Sequence, residues 1–515
     1  MPTISFLARS VAVVLAAGLL CLPAAWNGLP FFYPDTPTYL RGAETVMQRL
    51  AGRASASAGS QTHASAQAPA APIQPQALPS QGLTSLDDKV VLAGRSVYYG
   101  ALLHGARQAG SWWVAVAVQA LSVAYVLHLL VVRLWRVPVA AFLAMAAGLA
   151  LVTPLGVYAS LLMPDVFAGL GLLIVATLCV YWRQLGTLDR LALAGLLLFG
   201  LCAHASHAAV ALLLLLLVAM LRWRGASWQG LSLPAMGVVA ACIVGAVAAE
   251  WAFAQGVNRA LGAPPLRLPH TTARLIDMGP GTDFLRQHCP GAGYAVCAYT
   301  RNYPTPWDEF LFSADPARGT LALADAATKR RISAEQGRFV MDVIAHDPAG
   351  VLRGWATDLV RQLLSFRVDV WSLGPRELAM YAGRVAPETL VAMQEARGWN
   401  APAYNRALTI ATYASTIAAA LAAVWWAWRR RVGAQARVPQ RLEQVAWIAI
   451  GGVMANALVC ATAASSLDRF QARVVWVLPF LAMAVLALVG SHAARRLEGS
   501  GARAPGTGRL AEVTP

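Results

Sequence analysis

Long apolar runs alternate with short polar connections over most of the chain, and two longer polar stretches interrupt the alternation. A helix that crosses a bilayer needs about 20 apolar residues, and on that measure the chain divides into about ten spans. The first runs from about Ile4 to Trp26 and the second from Trp112 to Val132. Val139 to Val152, Val166 to Tyr181, Leu191 to Ala203, Ala208 to Leu221 and Leu233 to Phe253 follow, and Leu408 to Trp428, Val445 to Thr462 and Val474 to Val489 close the series. Several are short, as expected where neighbouring helices rather than lipid cover the ends.

The first polar stretch, 27–111, opens on Pro30-Phe31-Phe32-Tyr33-Pro34-Asp35-Thr36-Pro37-Thr38-Tyr39-Leu40. It carries helix-like segments at Leu40 to Leu50 and Leu86 to Gly105, suited to lie along the membrane surface. Between them an Ala/Ser/Gln/Pro tract, 51–81, has too little apolar surface to offset its ordering entropy and is predicted to be a disordered insertion. The second stretch, 255–406, has Pro/Gly-rich turns and a helical pattern from Thr328 to Phe366. There Ile344, Val351, Leu352, Trp355, Leu359, Leu363 and Leu364 recur at three- and four-residue spacing, which predicts a helix packed on one face. Asp347-Pro348 would start its second half. The predicted fold class is therefore an all-α polytopic membrane protein with a small, mostly helical outside domain. Its parts are a first span (1–26), the first outside loop (27–111), spans two to seven (112–254), the outside domain (255–406), spans eight to ten (407–492) and an inside tail (493–515).

Composition supports the membrane class. Of 515 residues 57% are hydrophobic and 13% charged, with a mean hydropathy of +0.53. Soluble domains carry about 25% charged residues. Lys+Arg 41 against Asp+Glu 25 gives a net charge of +16. The basic residues fall in short clusters between apolar runs rather than in a nucleic-acid-binding stripe, so no nucleic-acid partner is expected.

Those clusters orient the chain. With the N-terminus inside, every short inside connection carries arginine: Arg133 to Arg136, Arg183 to Arg190, Arg222 to Arg224, and Arg429, Arg430, Arg431, Arg437 and Arg441. The tail, with Arg495, Arg496, Arg503 and Arg509, also falls inside. The first segment is read as a retained span, the alternative being a cleaved signal peptide ending near Leu22-Pro23-Ala24-Ala25. Five cysteines lie in apolar runs, while Cys289 and Cys297 lie outside, where an oxidising compartment favours a disulfide over two free thiols.

Ionisable residues at membrane depth are costly, about 2.5 to 3.5 kcal/mol each, and here they fall on one side. Asp35 follows span one, Met163-Pro164-Asp165 opens span four, His204 and His207 sit between spans five and six, and Asp468-Arg469-Phe470-Gln471-Ala472-Arg473 separates the last two spans. Each has an ordinary reading. Asp35 and Asp165 suit helix caps, the histidines suit an interfacial turn, and the arginines suit snorkelling to headgroups. Their convergence on one face favours a shared site.

With these motifs the layout resembles the glycosyltransferase C superfamily, which includes protein mannosyltransferases, aminoarabinose transferases and oligosaccharyltransferases. The likeness rests on Tyr33 to Leu40 after span one, Met163-Pro164-Asp165, the run Leu191 to Leu221 broken at Ala203-His204-Ala205-Ser206-His207, the helix after His346-Asp347-Pro348, and the hairpin Asp468 to Arg473. It implies a polyprenyl-phosphate-linked sugar donor and transfer on the outer, periplasmic face of a bacterial inner membrane to a glycan, lipid or protein. It also implies that Asp35 binds the acceptor and acts as catalytic base, while Asp165 orients the acceptor or a metal. Tyr33, Tyr39, His204, His207 and Asp468 are expected to line the substrate site, with Arg469 and Arg473, one helical turn apart, facing the donor phosphate. A divalent metal at Asp35, Asp165 and a histidine is left open, since no ligand spacing specifies one. Two features depart from the resemblance: the first loop has one acidic residue rather than an Asp-Glu pair, and the Ala/Ser/Gln/Pro tract is extra.

Other classes make different demands. A polymerase or ligase of lipid-linked polysaccharide would use the same outside arginines. A transporter or flippase commonly shows repeated halves with ionisable groups near the midplane, whereas this chain has no evident internal repeat. A non-catalytic assembly protein would tolerate Asp35→Asn.

Overall fold

The computed structural model describes residues 6–50, 90–93, 96–368, 373–381, 385–431 and 439–501. The tract 51–81, Arg437, and Arg503 and Arg509 of the tail lie outside the described residues. Among those described the chain is helical, with β-type pairing confined to two isolated bridges, Phe31 with Leu161 and Leu92 with Leu266.

Among the described residues seven helices are long and apolar enough to cross a membrane: Trp113–Leu134, Val166–Gln184, Ala205–Arg224, Leu233–Leu261, Pro402–Trp428, Gln440–Ala463 and Asp468–Val489. Shorter apolar helices occupy Ala8–Leu20 and Val139–Val152, and the predicted span ending at Ala203 lies in the 17-residue helix Thr187–Ala203. The chain is a multi-pass, all-α membrane protein. Its helices are apolar for different reasons. Inside the protein lies 83% of the apolar window of Val166–Gln184, against 28% for Leu233–Leu261 and 22% for Pro402–Trp428. The first is the central helix, and the other two turn most of their surface outward.

Glycine sets how closely the centre packs. A Cβ at Gly169 would come within 2.7 Å of Trp476 Nε1. The indole instead fills that space and donates to the Arg473 carbonyl at 3.0 Å. The predicted hairpin Asp468 to Arg473 is thus itself helical, Asp468–Val475, and runs through a turn at Trp476 into Val477–Gly501.

Alternating connections separate to the two ends of the bundle. At one end Arg133 reaches Asp189, Arg222 donates to the Leu231 carbonyl at 2.6 Å and Gln444 to the Ser227 carbonyl at 2.7 Å. At the other end meet the connections bearing Asp35, Asp165, His204 and Arg469.

A second core, including Ala273, Leu285, Phe310, Phe339 and Val351, is separate from that of the bundle and lies within the second polar stretch. Cys289 and Cys297 are joined by a disulfide. Asp325 caps the helix Ala326–His346 by accepting from Thr328 N at 2.8 Å. Burial and a bond to Asp342 push Tyr294 up to about 12.

One expectation for this region holds and another changes. The stretch Thr328 to Phe366 restarts at Asp347-Pro348 as expected: Asp347 ends Ala326–His346 and caps Pro348–Leu364 by accepting from Gly350 N at 2.8 Å. The second helix half-buries Trp355, Leu359 and Leu363, so the predicted apolar face is covered only in part. It buries Val351, Asp358 and Gln362, and leaves Leu352, Val360 and Leu364 exposed. Arg274 explains the buried aspartate, bonding both Asp358 oxygens at 2.7 and 2.6 Å. Residues after that helix leave this second core: Phe366, Val368, Tyr381 and Met393 belong to the core of the membrane bundle.

Candidate functional site

The first-loop motif is held against the entrance of the central helix by backbone bonds. Phe31 N donates to the Ser160 carbonyl at 3.0 Å, and Leu162 N to the Phe31 carbonyl at 2.9 Å. Thr36 Oγ1 donates to the Leu162 carbonyl and accepts from Tyr33 N, both at 3.1 Å. This parallel bridge places Asp35, which directly precedes the helix Thr36–Leu50, beside the turn that delivers Asp165.

Arg469 joins the two carboxylates. Its Nε and Nη2 donate to Asp165 Oδ1 and Oδ2 at 3.1 and 2.8 Å, a bidentate pair, while Nη1 reaches Asp35 Oδ2 at 3.4 Å. The same guanidinium lies 4.2 Å over the Tyr33 ring. Arg473 approaches Asp165 from the other side, Nη1 lying 3.6 Å from Oδ1. The order Asp35, Arg469, Asp165, Arg473 alternates in sign and sums to zero, which is how four charges are tolerated together at a membrane-protein core.

Exposure divides their roles. Side-chain exposure is 26% at Asp35 and 13% at Arg469, but 0% at both Asp165 and Arg473. Asp35 and Arg469 can meet a substrate. Asp165, expected to orient the acceptor or a metal, has no exposed side-chain surface. It is a positioning residue that fixes Arg469. Arg473, expected to face a phosphate beside Arg469, is the buried base of the chain. Its Nη2 donates to Ser206 Oγ and Asn456 Oδ1, both at 3.1 Å, and to Cys460 Sγ at 3.5 Å. Nε and Nη1 make no hydrogen bond.

The histidines enter through Ser206. His204 precedes the helix Ala205–Arg224 and its Nδ1 accepts from Ser206 N at 3.3 Å, with Ser206 Oγ at 2.8 Å. His207 Nδ1 donates to the Gly200 carbonyl at 2.8 Å, so its Nε2 is a buried acceptor with no bond. His207 and Asn456 both line a small cavity of about 20 Å³ between the helices Val166–Tyr181, Thr187–Ala203 and Ala205–Arg224, with otherwise apolar walls.

Two expected site residues are placed elsewhere. Asp468 accepts from Arg367 N and Nε, both at 3.0 Å, at an exposed edge. Tyr39 is 1% exposed, its ring edge-on to Tyr99 at 5.3 Å, and offers no surface to a substrate. Among the described residues no three His, Cys, Asp or Glu side chains are grouped to hold a metal, and Asp35 and Asp165 face each other across a guanidinium. Ser206, Asn456 and Tyr158, whose hydroxyl donates to the Arg469 carbonyl at 3.3 Å, were not singled out by the sequence. Asn456 carried a signal, since an amide inside the apolar run Val445 to Thr462 needs a partner. Ser206 lay inside the quoted break Ala203 to His207 without a role of its own, and Tyr158 carried no signal.

No protein-family model matches the chain, and no match is found among curated proteins or among solved structures.

Proposed function

We propose that the chain is an integral-membrane glycosyltransferase of the glycosyltransferase C type, moving a sugar from a polyprenyl-phosphate donor to a hydroxyl of a periplasmic glycan, lipid or protein. The observation that carries this reading is the pairing of one accessible carboxylate, Asp35, with one accessible guanidinium, Arg469, held in register by buried Asp165. In this reading the chain crosses a bacterial inner membrane ten times, both termini are cytoplasmic, and the Asp35 end of the bundle faces the periplasm.

The chemistry asks for little more. The acceptor oxygen attacks the anomeric carbon, and its proton passes to the Asp35 carboxylate. The bond from that carbon to the phosphate oxygen breaks, and its electron pair leaves with the polyprenyl phosphate, whose charge Arg469 balances. Asp165 keeps the guanidinium oriented without being consumed. Arg473 adds a second positive charge beside Asp165.

Mass spectrometry of lipids that copurify with the parent and with Arg469→Gln tests the donor class. A polyprenyl phosphate or its glycoside held by the parent and lost from the variant is expected. Equal retention by both proteins would remove Arg469 from the phosphate site, and absence from both would remove the donor class.

A further inference from the structure

The helix Pro348–Leu364 sits in the outside unit by sequence but carries an unusual outer face. Leu352, Ala356, Val360 and Leu364 follow one another at four-residue intervals and form a single stripe. Leu352, Val360 and Leu364 are 63%, 56% and 65% exposed. Arg353, Thr357 and Arg361, also exposed, form a polar arc alongside. An apolar stripe beside an arginine-bearing face is the pattern of a helix that lies in a membrane interface.

The helix is also set low against the bundle. Tyr413 Oη donates to the Leu364 carbonyl at 2.7 Å, and the Tyr413 ring stacks on Phe366 at 4.0 Å. Tyr413 lies about 16 Å along the span that begins at Pro402, at 1.5 Å per residue. Its neighbours Ile410 and Ile417 are exposed on that span, as are Met454 and Leu458 on Gln440–Ala463. Val360 and Leu364 therefore continue an outward apolar surface that the spans already present.

We infer that the Leu352–Ala356–Val360–Leu364 stripe is embedded in the acyl-chain region of the bilayer, with Arg353 and Arg361 reaching lipid phosphates. The opposite face of the same helix holds the site: Gln362 Nε2 donates to the Leu467 carbonyl at 2.8 Å and its Oε1 accepts from Leu467 N at 3.0 Å. Leu467 lies two residues before Arg469, so the lipid contact and the guanidinium are tied to one rigid helix. This inference does not depend on the reaction proposed above.

The test places photoreactive benzoylphenylalanine singly at positions 360, 364, 410 and 318 of the full chain in nanodiscs of phosphatidylethanolamine and phosphatidylglycerol. All four positions are exposed, so the substitutions leave the core intact. Lipid adducts found by mass spectrometry at Val360 and Leu364, as at Ile410, with none at Arg318, are the expected result. Adducts at Ile410 without any at Val360 and Leu364 overturn the inference. A chain-to-chain crosslink at Val360 also overturns it, and assigns the stripe to a second copy.

Discussion

An arginine–aspartate pair closes each end of the bundle, and the two are built differently. At one end Arg133 bonds both oxygens of Asp189 at 2.7 and 2.8 Å, and Tyr125 Oη adds a third bond at 3.0 Å. It is a local staple between neighbouring connections. At the other end the carboxylate of Asp165 is shared by two arginines, one of them also reaches an exposed carboxylate, and Arg473 Nε and Nη1 and His207 Nε2 are left without hydrogen bonds. The Arg133 staple links one carboxylate to one guanidinium, whereas the other end builds a four-charge chain that runs from a fully buried pair to a partly exposed one. The difference between these ends, more than the presence of charge, singles out the Asp35 end as the candidate site.

The sharpest way to break the comparison is to remove the accessible carboxylate. Asp35→Asn keeps the shape but cannot take a proton, and loss of a general base is worth about a hundredfold or more in rate. Transfer measured with a polyprenyl-phosphate sugar should fall by that order, while thermal unfolding in detergent changes little because Asp35 is partly exposed. Full activity in this variant would return the site to the class of structural ion pairs.

Removing the buried carboxylate should act on stability as well. Asp165→Asn leaves Arg473 inside the protein without a counter-charge, a loss of about 3 kcal/mol for a broken buried pair. Thermal unfolding should shift down sharply, and the surviving folded fraction should bind donor lipid more weakly because Arg469 has lost its bidentate anchor. At the opposite end Arg133→Ala should cost about 2 kcal/mol, the scale of hydrogen bonds to a charged group. There the activity of each folded molecule should be unchanged. If Arg133→Ala lowered transfer per folded molecule as much as Asp165→Asn, the two ends would not be functionally distinct.

The sequence made the bundle and its two ends legible, because span length and the placement of arginine are local properties. It also made Asp35, Asp165, Arg469 and Arg473 visible, because charge at the edge of an apolar run is rare. It could not rank them. Which carboxylate is exposed depends on how far the bridge of Phe31 to Leu161 draws the first loop over the central helix, and that contact joins residues 130 positions apart. The apolar face of the helix Pro348–Leu364 was legible only in part, for a related reason. Three- and four-residue spacing marks an apolar face but not what covers it, and Arg274 for Asp358 and the Leu467 backbone for Gln362 supplied polar partners that let both go inside while Leu352 and Leu364 stayed out.

Asp468 gives the smallest effect and the finest test. It directly precedes Arg469, and by position alone it belongs with the site. Its carboxylate instead turns to Arg367, whose side chain is 72% exposed, and an exposed pair of this kind contributes about 0 to 1 kcal/mol. Asp468→Asn should therefore change thermal unfolding by less than that and leave transfer within about twofold of the parent, since half a kcal/mol is close to that factor. The amide oxygen still accepts from Arg367 N, so the start of the helix Asp468–Val475 is preserved. A large loss of transfer with normal unfolding would mean that Asp468 swings toward the substrate when one is bound. The accessible carboxylates of the site would then be two, and the contrast with the Arg133 end would widen.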